Sequence, residues 1–228
     1  PTFSGDRCGG LSSLDVALEP RAPSQDRWDT LLEDERARLV EQLPIDVPPE
    51  LLPPERDLHL AAKAGPRRAL TRFFQRAGRD ACVAGDMNVY YPNERRFAPD
   101  LFVVLDIDPR PRSRWVVSQE GRGLDVVIQV HFGGSRDRDY RIQVARFARL
   151  GIAEYFVFDM QRMSLVGFRL DRGGTGSYRP IAPSEGRYAS QALGLTLCVE
   201  VGALRFRCEG ELLPEVEEAP PSGSMRRT

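Results

Sequence analysis

Two apolar runs flanking a charged, helix-patterned stretch set the frame of this chain: "LDVVIQVHF" at 124–132 and "GIAEYFVFD" at 151–159. Short runs rich in β-branched and aromatic residues predict strands. From about Arg138 to Leu150 an apolar stripe of Tyr140, Val144, Phe147 and Ala148 recurs at helical spacing, and Gly151 marks the helix end. Two amides stand out inside this frame. Gln129 interrupts the first apolar run and Gln143 lies on the helix. A buried amide requires a hydrogen-bonding partner, so both positions call for an explanation.

The remaining pattern is read the same way. Trp28, Leu31, Leu32, Leu39, Val40 and Leu43 predict one amphipathic helix from Asp26 to Leu43, stopped by Pro44. "PIDVPPELLPPE" is an extended connector. A second helix is expected from Pro66, as first helical residue, to Ala77. It buries Ala69, Leu70, Phe73, Phe74 and Ala77, ends at Gly78, and carries Arg67, Arg68, Arg72 and Arg76 on its other side. Strand-like segments occupy 80–91 and 101–106. After "MSLVGFRL", the runs "GLTLCVEV" and "ALRFRC" read as an antiparallel extension closing the sheet. These elements make an α/β fold with a mixed sheet flanked by helices. The chain divides into a disordered tail (1–25), an N-terminal helix and Pro-rich connector (26–56), the α/β domain (57–213) and a second tail (214–228).

Composition narrows the class. At 41% hydrophobic and 29% charged the chain is an ordinary globular sequence. No apolar run approaches the ~18 residues of a membrane span, and "PTFSGDRCGG" lacks the features of a secretory signal, so a cytoplasmic protein without membrane partners is expected. A formal net charge of −1 excludes a globally basic DNA binder but leaves local patches open. Cys8, Cys82, Cys198 and Cys208 show no metal or redox spacing and are expected to be buried free thiols. Lys63 is the only lysine, and nothing near it in sequence marks a role; the other basic residues are arginines, which cannot shuttle protons.

"FAPDLFVV" places Asp100 directly before an apolar strand, where a carboxylate can face a cleft while the strand anchors it. Gln129, Val130 and His131 follow in the next long strand, then Asp139 and Gln143 one helical turn apart. Asp86 in "AGDMNV" is read as a turn acid, with support of a second metal as the alternative. Glu154 and Asp159 are read as fold determinants at strand ends.

The order Pro99-Asp100, Gln129-Val130, Asp139 to Gln143 to Phe147, Gly151-Ile152-Ala153-Glu154-Tyr155 and Asp159 resembles the Uma-type restriction-endonuclease family, a branch of the PD-(D/E)xK nuclease superfamily, over about residues 57–210. The resemblance implies a restriction-endonuclease-like mixed-sheet core and Mg²⁺-dependent hydrolysis of phosphodiester bonds, with DNA as partner. It makes Asp100 the first metal ligand, position 129 the second and the Val130 carbonyl the third. A catalytic cation is implied at 143, with Asp139 and His59 in support. Strand alternation puts His131 on the same face as Gln129, where it either supports the site or is a hydrogen-bonded structural histidine, and a nuclease would use Arg136, Arg138 and Arg141 on phosphate. Many nucleases pair to cut both strands, so a homodimer is one expectation.

Two signature positions depart from the family, which has Glu at 129 and Lys at 143. Gln129 keeps an oxygen but loses a charge worth about 4 kcal/mol at ~4 Å and an effective dielectric near 20, so metal affinity should fall steeply or the Mg²⁺ be lost. The two amides are then expected to hydrogen-bond each other or neighbouring polar groups. Three functions remain open: an endonuclease with a substituted active site, an inactive nuclease-fold module binding nucleic acid or a protein, and a structural protein without nucleic-acid contact.

Overall fold

The two apolar runs that frame the sequence become neighbours in one sheet. The computed structural model of the protein describes residues 21–47, 56–132, 141–171, 173 and 176–215, with backbone alone for 56–59. The expected terminal tails fall largely on 1–20 and 216–228, outside the described residues.

The N-terminal region forms two helices rather than one, α1 (Gln25–Thr30) and α2 (Glu33–Gln42). Leu31 and Leu32 between them are extended. The break is satisfied locally: the Arg36 guanidinium donates to the carbonyls of Trp28 and Asp29, and the Glu35 carboxylate accepts from Leu32 N–H. Leu32, expected in the apolar stripe, is consequently 72% exposed, while Trp28 and Leu43 are buried.

Helix α3 runs from Arg56 to Arg76 and carries Pro66 in its interior, so the helix begins ten residues earlier than Pro66 suggested. The missing N–H at Pro66 costs one helical bond. Tertiary burial offsets it, because Ala69, Leu70 and Phe74 are all buried in the main core.

The predicted strand over 80–91 splits into β1 (Ala81–Ala84) and β2 (Val89–Tyr90), broken at Gly85 and Asp86. Then come β3 (Leu101–Leu105), β4 (Trp115–Val116), a short helix α4 (Val117–Glu120), β5 (Val126–His131), α5 (Gln143–Arg149), β6 (Glu154–Asp159), β7 (Ser164–Leu170) and β8 (Tyr178–Pro180). The central sheet has the order β1-β3-β5-β6-β7-β8. Only β5 and β6 pair in parallel, joined through α5, so the sheet is mixed as expected. β2 pairs in parallel with β4 as a separate ribbon.

Strand alternation sorts the two sheet faces. Leu101, Val103 and Leu105 of β3 and Val126, Ile128 and Val130 of β5 meet α3 in one core cluster. Phe102, Val104 and Val127 point the other way and meet Phe147 of α5. The C-terminal strands β9 (Tyr188–Ser190), β10 (Leu195–Glu200), β11 (Ala203–Cys208) and β12 (Glu211–Leu212) form their own antiparallel sheet, ordered β12-β11-β10-β9, instead of extending the central one. Leu195, Leu197, Leu204 and Phe206 explain why: they bury into the same cluster as α3, which a continuation of the central sheet's edge would not allow. Cys82, Cys198 and Cys208 are free thiols, but of these three only Cys198 is buried as expected, Cys82 and Cys208 being partly exposed; Cys8 lies outside the described residues.

Candidate active site

Asp100 and Gln129 meet because β3 and β5 are antiparallel. Leu101 pairs with Ile128, which sets Asp100 opposite Gln129 at the end of the ladder. The two residues clasp each other. Gln129 Oε1 accepts from Asp100 N–H at 3.1 Å, and Asp100 Oδ2 accepts from Val130 N–H at 2.8 Å. Gln129 is thus partnered by neighbouring backbone. The clasp fixes the Asp100 carboxylate against β5 by a charge-assisted bond.

Two further residues complete the site, and the sequence pattern had set both aside. Lys63 Nζ lies 2.5 Å from Asp86 Oδ1 and 3.5 Å from Asp100 Oδ1, with its side chain 7% exposed. Lys63 therefore sits within α3, not in a segment before it, and reaches the sheet end from the face opposite α5. Asp86 owes its position to the backbone. It adopts φ 52°, in the left-handed region, and donates its N–H to the Pro99 carbonyl at 2.9 Å. A Cβ at Gly85 would lie 2.1 Å from the Asp100 carbonyl oxygen, so only glycine permits this approach. A non-glycine left-handed residue beside such a contact is strain that the surrounding structure holds in place.

Gly85→Ala is accordingly expected to push β1 away from Asp100 and to destabilise the fold by roughly 1–3 kcal/mol, as overpacking does. Chemical denaturation checks this. A midpoint equal to wild type would mean that the approach is not needed.

The remaining predicted residues are less convergent. Gln143 is buried and Oε1 lacks a hydrogen-bond partner among the described residues, so the two glutamines do not pair with each other through that oxygen. It lies one turn before Phe147 on α5. That helix is tied to the segment leading to Asp100: Arg146 and Arg149 both pair with Glu94, and the Arg146 guanidinium lies 4.7 Å from the Phe97 ring centroid. Burial raises the Glu94 carboxyl pKa, but the two guanidinium groups prevail and hold it below the usual carboxylate range.

His131 is buried in β5 directly opposite Asp159 of β6. Burial likewise works against ionised Asp159. The N–H and guanidinium of Arg162, and then His131, more than offset that and keep its carboxyl pKa low. His131 thus sits beside the Asp159–Arg162 ion pair at the strand ends. Arg141 is exposed at the start of the α5 region. Asp139, Arg136 and Arg138 lie outside the described residues, as does the side chain of His59.

Beyond Lys63, α3 borders a groove of about 490 Å³ along β1, lined among others by Arg67, Arg79, Arg110 and Arg112. Arg67 is exposed one helical turn from Lys63. Arg79 is held by Asp106, and Arg110 and Arg112 by Glu120.

The mixed α/β sheet has the restriction-endonuclease-like architecture expected from the sequence, with acids, an amide and a lysine gathered at the ends of β1, β3 and β5. The sequence model of the Uma2 family, described as "Putative restriction endonuclease", matches residues 42–200, and the chain belongs to that family. Among solved structures it is similar to the crystal structure of a "putative nuclease belonging to DUF820" from Anabaena variabilis ATCC 29413. Identity is 8% and the TM-score 0.45, over 59% of this chain and 73% of that one. No curated protein matches the chain significantly.

Restriction-endonuclease-like proteins generally use divalent metals, and the donors here suit a hard cation. Asp100 and Asp86 supply carboxylates, Gln129 an amide oxygen and Val130 a main-chain carbonyl. Among the described residues no three His, Cys, Asp or Glu side chains gather as a metal cluster. No described helix is long and apolar enough to cross a membrane.

Proposed function

We propose that the protein is a metal-dependent endonuclease that hydrolyses phosphodiester bonds of DNA, with Asp100, Gln129 and the Val130 carbonyl as the Mg²⁺ ligands. The observation that carries this reading is the clasp of Asp100 against Gln129 and Val130, with Lys63 and Asp86 at the same strand ends. When bound, the metal would supply charge neutralisation at the phosphate and an activated water.

The chain's own residues do the positioning. Val130 N–H orients the Asp100 carboxylate, leaving its other oxygen toward Lys63. Asp100 N–H orients the Gln129 amide so that its oxygen faces Asp100 rather than solvent. Asp86, the most exposed of the acids at the site, can accept a hydrogen bond from an attacking water. Arg67 and Arg141, exposed on either side, suit the flanking backbone phosphates, where arginine can donate two parallel hydrogen bonds.

With one neutral ligand in place of an acid, Asp100, Gln129 and the Val130 carbonyl would hold a metal more weakly in the free protein, and substrate phosphate would add to its ligands. Gln129→Glu restores a charge worth about 4 kcal/mol at ~4 Å and effective dielectric ~20. The variant is expected to bind Mg²⁺ at least ~10-fold more tightly than wild type and to nick plasmid DNA at lower Mg²⁺. Calorimetry and a nicking assay provide the check, and absence of metal binding and cleavage in both proteins would end the hydrolytic reading.

A second reading is a nuclease-fold module that binds nucleic acid or a protein without cutting. The observation favouring it is that Lys63 already neutralises the carboxylate pair. In that case Gln129→Glu gains metal binding or nicking that wild type lacks altogether.

A further inference from the structure

We propose that Lys63 is the phosphate-facing cation of this site, supplying from α3 the positive charge that the family pattern places at position 143 on α5. This rests on the hydrolytic reading for its catalytic part, and on phosphate binding alone for the rest.

Three observations converge on it. First, the Lys63 ammonium touches both carboxylates at the strand ends, at 2.5 Å and 3.5 Å, while the residue at position 143 is a neutral amide. Second, an ammonium has three N–H donors. Two go to Asp86 and Asp100, and among the described residues the third has no partner, leaving it for a ligand oxygen. Third, this sequence uses arginine at every other basic position. Arginine is at least as good a partner for two carboxylates, with a planar fork that matches them. A lysine at this one place supplies a compact, rotatable charge that a merely structural ion pair does not require.

The geometry also says how the exchange works. The Asp86 side chain is 37% exposed, whereas that of Asp100 is 13% exposed, so the ammonium is more accessible on the Asp86 side. A phosphate oxygen entering beside Asp86 meets the ammonium without disturbing the Asp100 clasp. Lys63 then donates to the oxygen on which negative charge develops, the kind of contact whose removal costs on the order of 10²–10³ in kcat.

The test uses the full-length chain, a DNA substrate and Mg²⁺. Lys63→Met is expected to lower kcat about 10²-fold or more with KM changed less than ~5-fold. Lys63→Arg should keep the melting temperature but not kcat, because it preserves the ion pair and loses the compact donor. Lys63→Met/Gln143→Lys should recover at least ~10-fold of the loss, since position 143 is where the family pattern carries its cation.

A second readout needs no variant. Protein grown with [ε-¹³C]lysine carries one such signal, because Lys63 is the only lysine. A non-cleavable phosphorothioate oligonucleotide with Ca²⁺ should shift that signal with the same midpoint that fluorescence anisotropy gives for binding. If wild type cleaves while Lys63→Met or Lys63→Arg is as fast, or the signal stays still as the oligonucleotide binds, the Lys63 assignment is overturned and the nuclease reading stands. If wild type does not cleave but the signal shifts on binding, hydrolysis is overturned and the phosphate contact stands. No cleavage and an unmoved signal overturn both.

Discussion

Asp100→Asn is expected to leave the protein folded and to lower kcat/KM by on the order of 10³-fold. The isosteric amide still offers an oxygen to Val130 N–H, so the clasp with β5 survives and the melting temperature should change little. What disappears is the negative charge. Asp100 is the one acid held by both the β3 end and the β5 backbone, and Gln129 beside it is already neutral. A bound cation contributes several kcal/mol of charge stabilisation, and each ~1.36 kcal/mol is tenfold in rate. Steady-state cleavage at saturating Mg²⁺ measures the effect. Activity within ~10-fold of wild type would place the reacting centre away from Asp100.

Glu154→Ala carries the largest expected cost in stability, about 3–5 kcal/mol, as for other broken buried ion pairs. Glu154 is 1% exposed at the start of β6 and accepts from Arg169 Nε at 2.7 Å, Gln191 N–H at 2.9 Å and the Ser190 hydroxyl. Arg169 Nη2 in turn donates to the Ala189 carbonyl at 2.6 Å. One carboxylate thus ties β6 and β7 of the central sheet to β9 of the C-terminal sheet. Its removal strands a guanidinium and two further donors. At roughly 2–4 °C per kcal/mol for a domain of this size, melting should fall by about 10 °C. Glu154→Gln, which keeps an acceptor, should lose less. A melting temperature within ~2 °C of wild type for the alanine variant would show that the two sheets are held together elsewhere.

Periodicity and apolar content identified the strands around Leu101, Ile128 and Phe156 because their cores read as continuous buried runs. It failed where a local signal met a tertiary one. Pro66 looked like a helix start, since proline suits that position, yet α3 runs straight through it with Leu70 and Phe74 packed behind. The 26–43 stripe looked unbroken because the Arg36 and Glu35 side chains that satisfy the break at Leu31 and Leu32 carry no periodic signature. The C-terminal strands showed their alternation but not their partners, and pairing is a property of the whole sheet.

The candidate site divides in the same way. Asp100 and Gln129 were legible because each stands against an apolar strand, and the antiparallel register of β3 and β5 brings them together. Asp86 and Lys63 were not. One is a lone acid in a turn and the other a lone lysine on a helix 37 residues from Asp100, with nothing in their spacing to join them. The only local hint was Gly85, whose absent side chain is what lets β1 approach Asp100.

By itself, the sequence determined the central strands, that they build a mixed α/β sheet with helices, and which acid and amide stand at the β3 and β5 ends, because hydrophobic period and polar interruption are written along the chain. Only the tertiary structure decided that Lys63 of α3 meets Asp86 and Asp100 at the strand ends. Contact between residues on opposite faces of a sheet depends on how strands end and helices cross, and linear spacing holds no record of that.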